Sequence, residues 1–484
     1  MSKALSNLNP ADVFEYFEEI CAVPRETDSC DGICAYLRNF AGKYGLDFKE
    51  DDAHNIVIFK PASFGYEGQE PVILQCHTDI VGEKSYELEG KFDFAKDPIT
   101  PLAMDDFVFG KGTSLGANDG IAMAYMLSVL ADDSLDHPKL EALFTVNKHR
   151  GFKGAFALDG SMLTGKRLIN LDHTVEGEIL TSSAGGRKVK MSFGMKTEEY
   201  EGCKFNLVIC GLAGGHSGTE IDKCRGNANL LMGRFVHFIG KEVPIRIGYL
   251  KGGLVDYTIP REAKAEIYVR NIDEKRTEDL ISEFISIIEK EYGDVEDNLT
   301  IYGENLGPAK SLVLDLPSQK KVGLVMNDIP DGIIKMSRNG DDLVQTSLNC
   351  GIMRLDRHHF ELFINIRSTQ DCEKKALSDR LQYLTEYLDG EFSVEFEYPA
   401  WEYDEDSDFR DIAFDIYQRC FEKNPKLTGF HAGLECGILY DKLGGLDIIS
   451  FGPNITGADT IKERLSVSSA ERCYELLVEI LANC

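Results

Sequence analysis

Along residues 11–24 the apolar positions Val13, Phe14, Phe17, Ile20 and Cys21 recur at helical spacing, and Pro24 closes the pattern. A second amphipathic helix runs through Ile33, Leu37, Phe40 and Ala41. Short apolar runs at 55–59, 72–75, 143–146 and 168–171 predict strands, and residues 121–130 predict a buried helix after a turn at 116–120. Polar residues follow these strands repeatedly, as in Cys76-His77-Thr78-Asp79 and Leu171-Asp172. Open α/β sheets place their sites at such strand ends. From Ser182-Ser183-Ala184-Gly185-Gly186 the texture changes to alternating strands such as 188–193. Two strand–helix units of similar size then echo each other. The strand at 266–270 precedes Leu280, Phe284, Ile287 and Ile288, and the strand at 361–367 precedes Leu377, Leu381, Leu384 and Leu388. The α/β texture returns near Trp401, with a helix at 412–420 and a strand at 446–451. The pattern predicts an α/β domain (1–185 and 401–484) interrupted by an internally duplicated α+β domain (186–400).

Composition narrows the partners. A chain of 484 residues exceeds one core at roughly 100–200 residues per domain. Its 81 acidic against 52 basic residues give a net charge of −29, which disfavours nucleic acid and anionic membranes. The 13 cysteines are odd in number, scattered and without a CxxC pair, as expected of reduced thiols. Residues 1–10 carry no apolar core of signal-peptide length, and no run of about 18 uncharged apolar residues occurs. The expectation is a soluble cytoplasmic protein.

Two stretches carry candidate chemistry. In His77-Thr78-Asp79 an imidazole can ligate a metal while the carboxylate fixes its orientation or tautomer. By itself, a His beside an Asp is more often a hydrogen-bonded pair. Thr145-Val146-Asn147-Lys148-His149-Arg150-Gly151, by itself, reads as a basic loop after a strand.

Order and combination are more specific. Cys76-His77-Thr78-Asp79-Ile80-Val81, Gly112-Thr113-Ser114-Leu115-Gly116-Ala117, Ile169-Asn170-Leu171-Asp172, Glu176-Gly177-Glu178, Gly214-Gly215-His216-Ser217-Gly218, Gly226-Asn227-Ala228-Asn229 and His431-Ala432-Gly433-Leu434-Glu435-Cys436-Gly437 follow one another. Together they resemble the bacterial aminoacyl-histidine (Xaa-His) dipeptidases, a carnosinase-like branch of the dizinc aminopeptidase and aminoacylase-like metallopeptidases, from Ile20 to Arg464. The resemblance implies a zinc-peptidase-like α/β catalytic domain with an inserted lid. It also implies dipeptide hydrolysis by water activated between two metals, with a Glu carboxylate as base. His77 and Asp172 would ligate the first metal, beside Asp79. His216 would face the oxyanion, Arg367 or Asn227 would take the substrate carboxylate, and Glu435 would touch substrate or support the pocket wall. For Arg367 a structural ion pair is an equal alternative.

The chain departs from that pattern at four positions. The family's bridging carboxylate opens an Asp-Asn-Gly turn, which here reads Asn118-Asp119-Gly120. Its base and the following Glu ligand are replaced by Lys148 and His149, and its late His ligand by Asp459. In one reading the site is extinguished, since the ammonium of Lys148 repels dications, and the protein binds a dipeptide or amino acid without ordinary dizinc hydrolysis. In the other it is rearranged. His149 and Asp459 exchange an imidazole and a carboxylate, Asp119 shifts the bridging carboxylate by one residue, and a desolvated Lys148 acts as a neutral base. A single ion held by His77, Asp119 and Asp172 is intermediate. Any ion would be zinc, with manganese or cobalt as substitutes, and the assembly could be a homodimer. The weight falls on the first reading, because losing the carboxylate base alone lowers rate by roughly 10²–10⁴.

Overall fold

The computed structural model describes residues 4–338 and 343–484, so the first three residues of the expected leaderless start lie outside it. The chain forms two compact units. The first comprises Met1–Ser182, Trp401–Gly429 and Leu434–Cys484, and the second Ser183–Ala400 with Phe430–Gly433.

In the first unit an eight-stranded sheet runs in the order Asp47–Glu50, Ile56–Lys60, Leu140–Thr145, Val72–His77, Arg167–Asn170, Asp447–Ser450, Glu178–Ser183 and Lys426–Phe430. The four middle strands are parallel to their neighbours within that group. Val72–His77 and Leu140–Thr145 are buried at every position, which explains their unbroken apolar texture. The helix Ala117–Ala131 is also buried along its length, packed on the sheet and against the helices Ala11–Cys21 and Val467–Leu481. Phe14, Phe17, Ile121, Met126 and Leu477 fill this core. Each such side chain contributes roughly 1.5–3 kcal/mol on burial.

The predicted helix at 121–130 therefore begins earlier, at Ala117, with non-helical backbone at Asn118 and Asp119. Ahead of it, Gly116 has φ +69°, and a Cβ there would lie 2.7 Å from both Arg25 Nη2 and Ile80 Cγ2. A side chain is excluded at that turn by both strain and space.

The second unit is built on a nine-stranded antiparallel sheet. Eight strands run in the order Thr300–Leu314, Thr197–Cys210, Ala263–Val269, Ile245–Gly252, Val344–Leu355, His359–Ser368, Gly185–Gly194 and Gly390–Tyr398, with Gly332–Met336 beside Val344–Leu355. Both echoed units are present in it: Ala263–Val269 leads to the helix Glu274–Tyr292, and His359–Ser368 leads to Asp371–Tyr387. The apolar positions of both helices join one core, with Leu280, Phe284, Leu377 and Leu381 among them. Phe430–Gly433 joins this unit, because Phe430 O accepts from Ala184 N and His431 pairs with Ser347. No sequence signal announces that short return.

Candidate functional site

His77 ends a parallel strand, and Thr145 pairs with it at the end of the next. His77 Nδ1 lies 3.0 Å from the Asp79 backbone carbonyl, so Nδ1–H donates there and Nε2 faces the centre. The carbonyl of Asp79, rather than its carboxylate, is thus the hydrogen-bond partner expected to orient the ring. The Asp79 carboxylate instead accepts from the backbone N–H of Lys148 (2.8 Å) and His149 (3.2 Å) and from Thr27 Oγ1 (2.9 Å). It pins the basic loop against the strand end.

Around His77 Nε2 stand Asn118, Asp119, Asp172 and Lys148. Single donor atoms of His77, Asp119 and Asp172 lie within 4.8 Å of one another, all buried. Asn118 is wedged among them, its Oδ1 3.1 Å from His77 Nε2 and its Nδ2 donating to Asp172 Oδ1 at 2.9 Å. The amide thus stands between His77 and Asp172. Asp119 lies to one side, where Oδ2 accepts from the His77 backbone N–H at 3.2 Å. Burial, and then the charge of Asp172, push Asp119 up to about 7.

Lys148 Nζ lies 2.5 Å from Asp172 Oδ2 and 3.2 Å from His77 Nε2. Burial opposes its charge, but Asp172 and Asp119 outweigh burial and raise its pKa above that of an ordinary amine. The carboxylates around Lys148 favour its ammonium form, against the desolvation on which the expected neutral base rests. Burial likewise opposes the charge of Asp172, while Lys148 and His77 hold its pKa well down.

His149 and Asp459 stand beside this cluster. His149 Nε2 is 3.9 Å from Asp459 Oδ1, beyond hydrogen-bond range, and it is buried with no hydrogen-bond partner among the described residues. Burial, reinforced by the charges of His77 and Lys148, lowers its pKa to about 3, leaving a neutral imidazole with a free ligand nitrogen. Burial raises the Asp459 carboxyl.

Glu435 is fully buried. Its Oε2 accepts from Gln75 (2.7 Å) and Thr145 (2.6 Å) on the two strands that end at the site. Burial pushes it up to about 7. These bonds make it part of the pocket wall.

Two supports escaped sequence reading. Arg25, 1% exposed, donates to Thr78 O at 2.9 Å and Gly116 O at 2.5 Å. Glu463 accepts from the backbone N–H of Leu115, Gly116 and Asn118 at 2.8, 2.7 and 3.2 Å. Both are remote in sequence from the turn they hold, so no local pattern could reveal them.

The second unit carries the remaining candidates. His216 Nδ1 accepts from the backbone N–H of Gly218 and Thr219, both at 3.2 Å, which places the ring proton on Nε2. Burial, then the charge of Arg367, lowers its pKa to about 4. Arg367 is 5% exposed and donates to Tyr398 Oη at 2.8 Å, while its Nε has no partner. No carboxylate pairs with it among the described residues, against the structural ion-pair alternative. Asn227 departs from its expected role. Its Oδ1 accepts from Asn229 N as the cap of the helix Ala228–Gly240, and its Nδ2 donates to Asp331. His431, unforeseen, pairs with Ser347 Oγ through Nε2 at 2.7 Å.

Residues 209–296 match the family model described as a peptidase dimerisation domain, M20_dimer. The chain is 34% identical over 479 residues to the cytosol non-specific dipeptidase of Escherichia coli (strain K12), covering 99% of this chain and 98% of that one. The crystal structure of aminoacylhistidine dipeptidase from Vibrio alginolyticus is similar at a TM-score of 0.89 and 30% identity, covering 99% and 98% of the two chains. An aminopeptidase PepT from Bacillus cereus shares the fold at a TM-score of 0.57 and 17% identity, covering 98% of each. No helix among the described residues is long and apolar enough to cross a membrane. Identity and fold held across almost the whole length of a dipeptidase show that this chain belongs to the M20 metallopeptidase family, among the aminoacyl-histidine dipeptidases.

Proposed function

We propose that the protein is a metal-dependent dipeptidase of the cytoplasm, acting as a homodimer on small Xaa-His type dipeptides through a non-standard centre. The observation that carries this reading is the retained donor set. His77, Asp119 and Asp172 converge, and His149 beside them keeps a neutral, unpartnered nitrogen facing Asp459. Full-length similarity to dipeptidases supports it further. We place the catalytic domain at 1–185 and 401–484 and the lid at 186–400.

The donor set does not fit the family's ordinary pair of ions, since an amide stands between His77 and Asp172 and the Lys148 ammonium already contacts both. It fits one ion, zinc or a manganese or cobalt substitute, with neutral imidazole and carboxylate donors. Such an ion, when bound, supplies Lewis-acid polarisation of the scissile carbonyl. The chain's own groups do the rest in this reading. Asp79 fixes the loop that carries Lys148 and His149. Within the second unit, His216 keeps an Nε2–H donor and Arg367 an Nε–H with no partner among the described residues, donors of the kind an oxyanion or a carboxylate accepts.

One observation favours the second reading, ligand binding without hydrolysis: the Lys148 side chain lies against Asp172 and His77, two of the residues an ion would need. Assays with β-alanyl-histidine and glycyl-histidine, with zinc, manganese or cobalt added, separate the two. The dipeptidase reading expects metal-dependent turnover well above that of the chelator-stripped protein. Dipeptide binding with no such turnover would instead establish the second reading.

A further inference from the structure

We propose that the Lys148 ammonium is a tethered replacement for one of the family's two metal ions, so that the centre accepts at most one divalent ion, on its His149–Asp459 side. The inference deepens the non-standard dipeptidase reading and concerns what that centre holds.

Position is the first argument. Lys148 Nζ touches Asp172 Oδ2 and His77 Nε2, atoms of two of the three residues that converge in the buried cluster. A zinc ion there would need those same atoms at roughly 2.0–2.2 Å. Ammonium and dication cannot share them, because like charges a few ångströms apart repel strongly in a buried site. The Lys148 side chain is only 14% exposed, and its backbone is tied down by Asp79 through the N–H of Lys148 and of His149. Moving it aside would also break its ion pair with Asp172.

The amide at 118 is the second argument. Two dications held close together need a shared anion, and this centre offers Asn118, whose Nδ2–H donates to Asp172. A dication on Asp172 Oδ1 would face that donor hydrogen. An ammonium makes no such demand, because it pairs with the other oxygen, Oδ2. Loss of one bridging carboxylate is thus matched by a cation of lower charge.

The third argument lies beside the ammonium. His149 Nε2 is not engaged by Lys148 or by any other hydrogen-bond partner among the described residues, and it faces Asp459 Oδ1 at 3.9 Å, a span that one ion can straddle. Lys148 therefore fills one side of the centre and leaves the other with its donors free.

The test is a metal count on the full chain. Protein stripped with a chelator is dialysed against zinc, and zinc per chain is measured by elemental analysis for wild type, Lys148→Met and Lys148→Arg. Wild type and Lys148→Arg are expected to hold no more than one ion, and Lys148→Met one more than wild type. Two ions on wild type, or no gain in a Lys148→Met protein with the wild-type circular dichroism spectrum, overturns the proposal. Should Lys148→Met fail to fold, anomalous diffraction from zinc-soaked wild-type crystals decides. A peak between His77 and Asp172 refutes the assignment, and its absence with Lys148 in place upholds it. Failure of the dipeptidase reading is separable. A wild type that binds no zinc and hydrolyses nothing, with a Lys148→Met variant that gains one ion, sinks dipeptidase activity while upholding the role of Lys148.

Discussion

An ammonium on Asp172 and an amide between His77 and the same carboxylate leave the centre less charged than a two-ion site. Substituting a carboxylate at either position should restore part of what the family uses. Combining Lys148→Glu with Asn118→Asp is expected to raise zinc-dependent dipeptide hydrolysis by roughly 10²–10⁴, the worth of a positioned base. Steady-state assays at saturating zinc check this, and an unchanged rate counts against both positions. His149→Ala and Asp459→Ala are each expected to weaken zinc binding by at least about 10-fold, read by competition with a chelating dye. Unaltered affinity in both rules out the exchanged pair. Motif order alone singled out Lys148, His149 and Asp459. The raised pKa of Lys148 could not be read there, because burial opposes it and it comes from Asp172 and Asp119, which only folding brings near.

At the scale of elements, the turn before Ala117–Ala131 is held by two distant side chains. Glu463 accepts three backbone N–H groups that the first turn of a helix leaves unpaired. Glu463→Ala should destabilise the first unit by about 1–3 kcal/mol, the cost of leaving buried donors unsatisfied. Urea unfolding followed by tyrosine fluorescence measures it, and a midpoint equal to wild type contradicts the assignment. The helix itself was readable as an apolar run, since all its faces are buried. Its start was not, because the cap comes from across the chain. Asn227 shows the opposite case. An Asn directly before a helical run is a local N-cap signal, and the family role expected for it hid that plainer reading.

Across the second unit, His216 and His431 make stability depend on pH. Burial first and the Arg367 charge next lower their pKa values to about 4 and about 3, below the 6.5 of a free imidazole. The unfolded chain therefore binds protons that the folded one excludes, so this stability is complete above about pH 6.5 and is lost as pH falls toward 4. Thermal midpoints recorded from pH 7.5 to 4.5 should fall on acidification, and less steeply in His431→Gln. Equal slopes in the two proteins reject the assignment.

The sequence by itself pointed to the family and to an α/β domain interrupted by an α+β unit, and it singled out Asn118, Lys148, His149 and Asp459. Each of these is written in local periodicity or in motif order. Only the tertiary structure decided which groups meet. It set the amide between His77 and Asp172, moved Asp119 to one side, placed the Lys148 ammonium on Asp172, and gave Arg25 and Glu463 their hold on the turn. Those outcomes follow from distances of a few ångströms between residues as much as 348 positions apart, over which charge and hydrogen bonding act and sequence spacing carries no information.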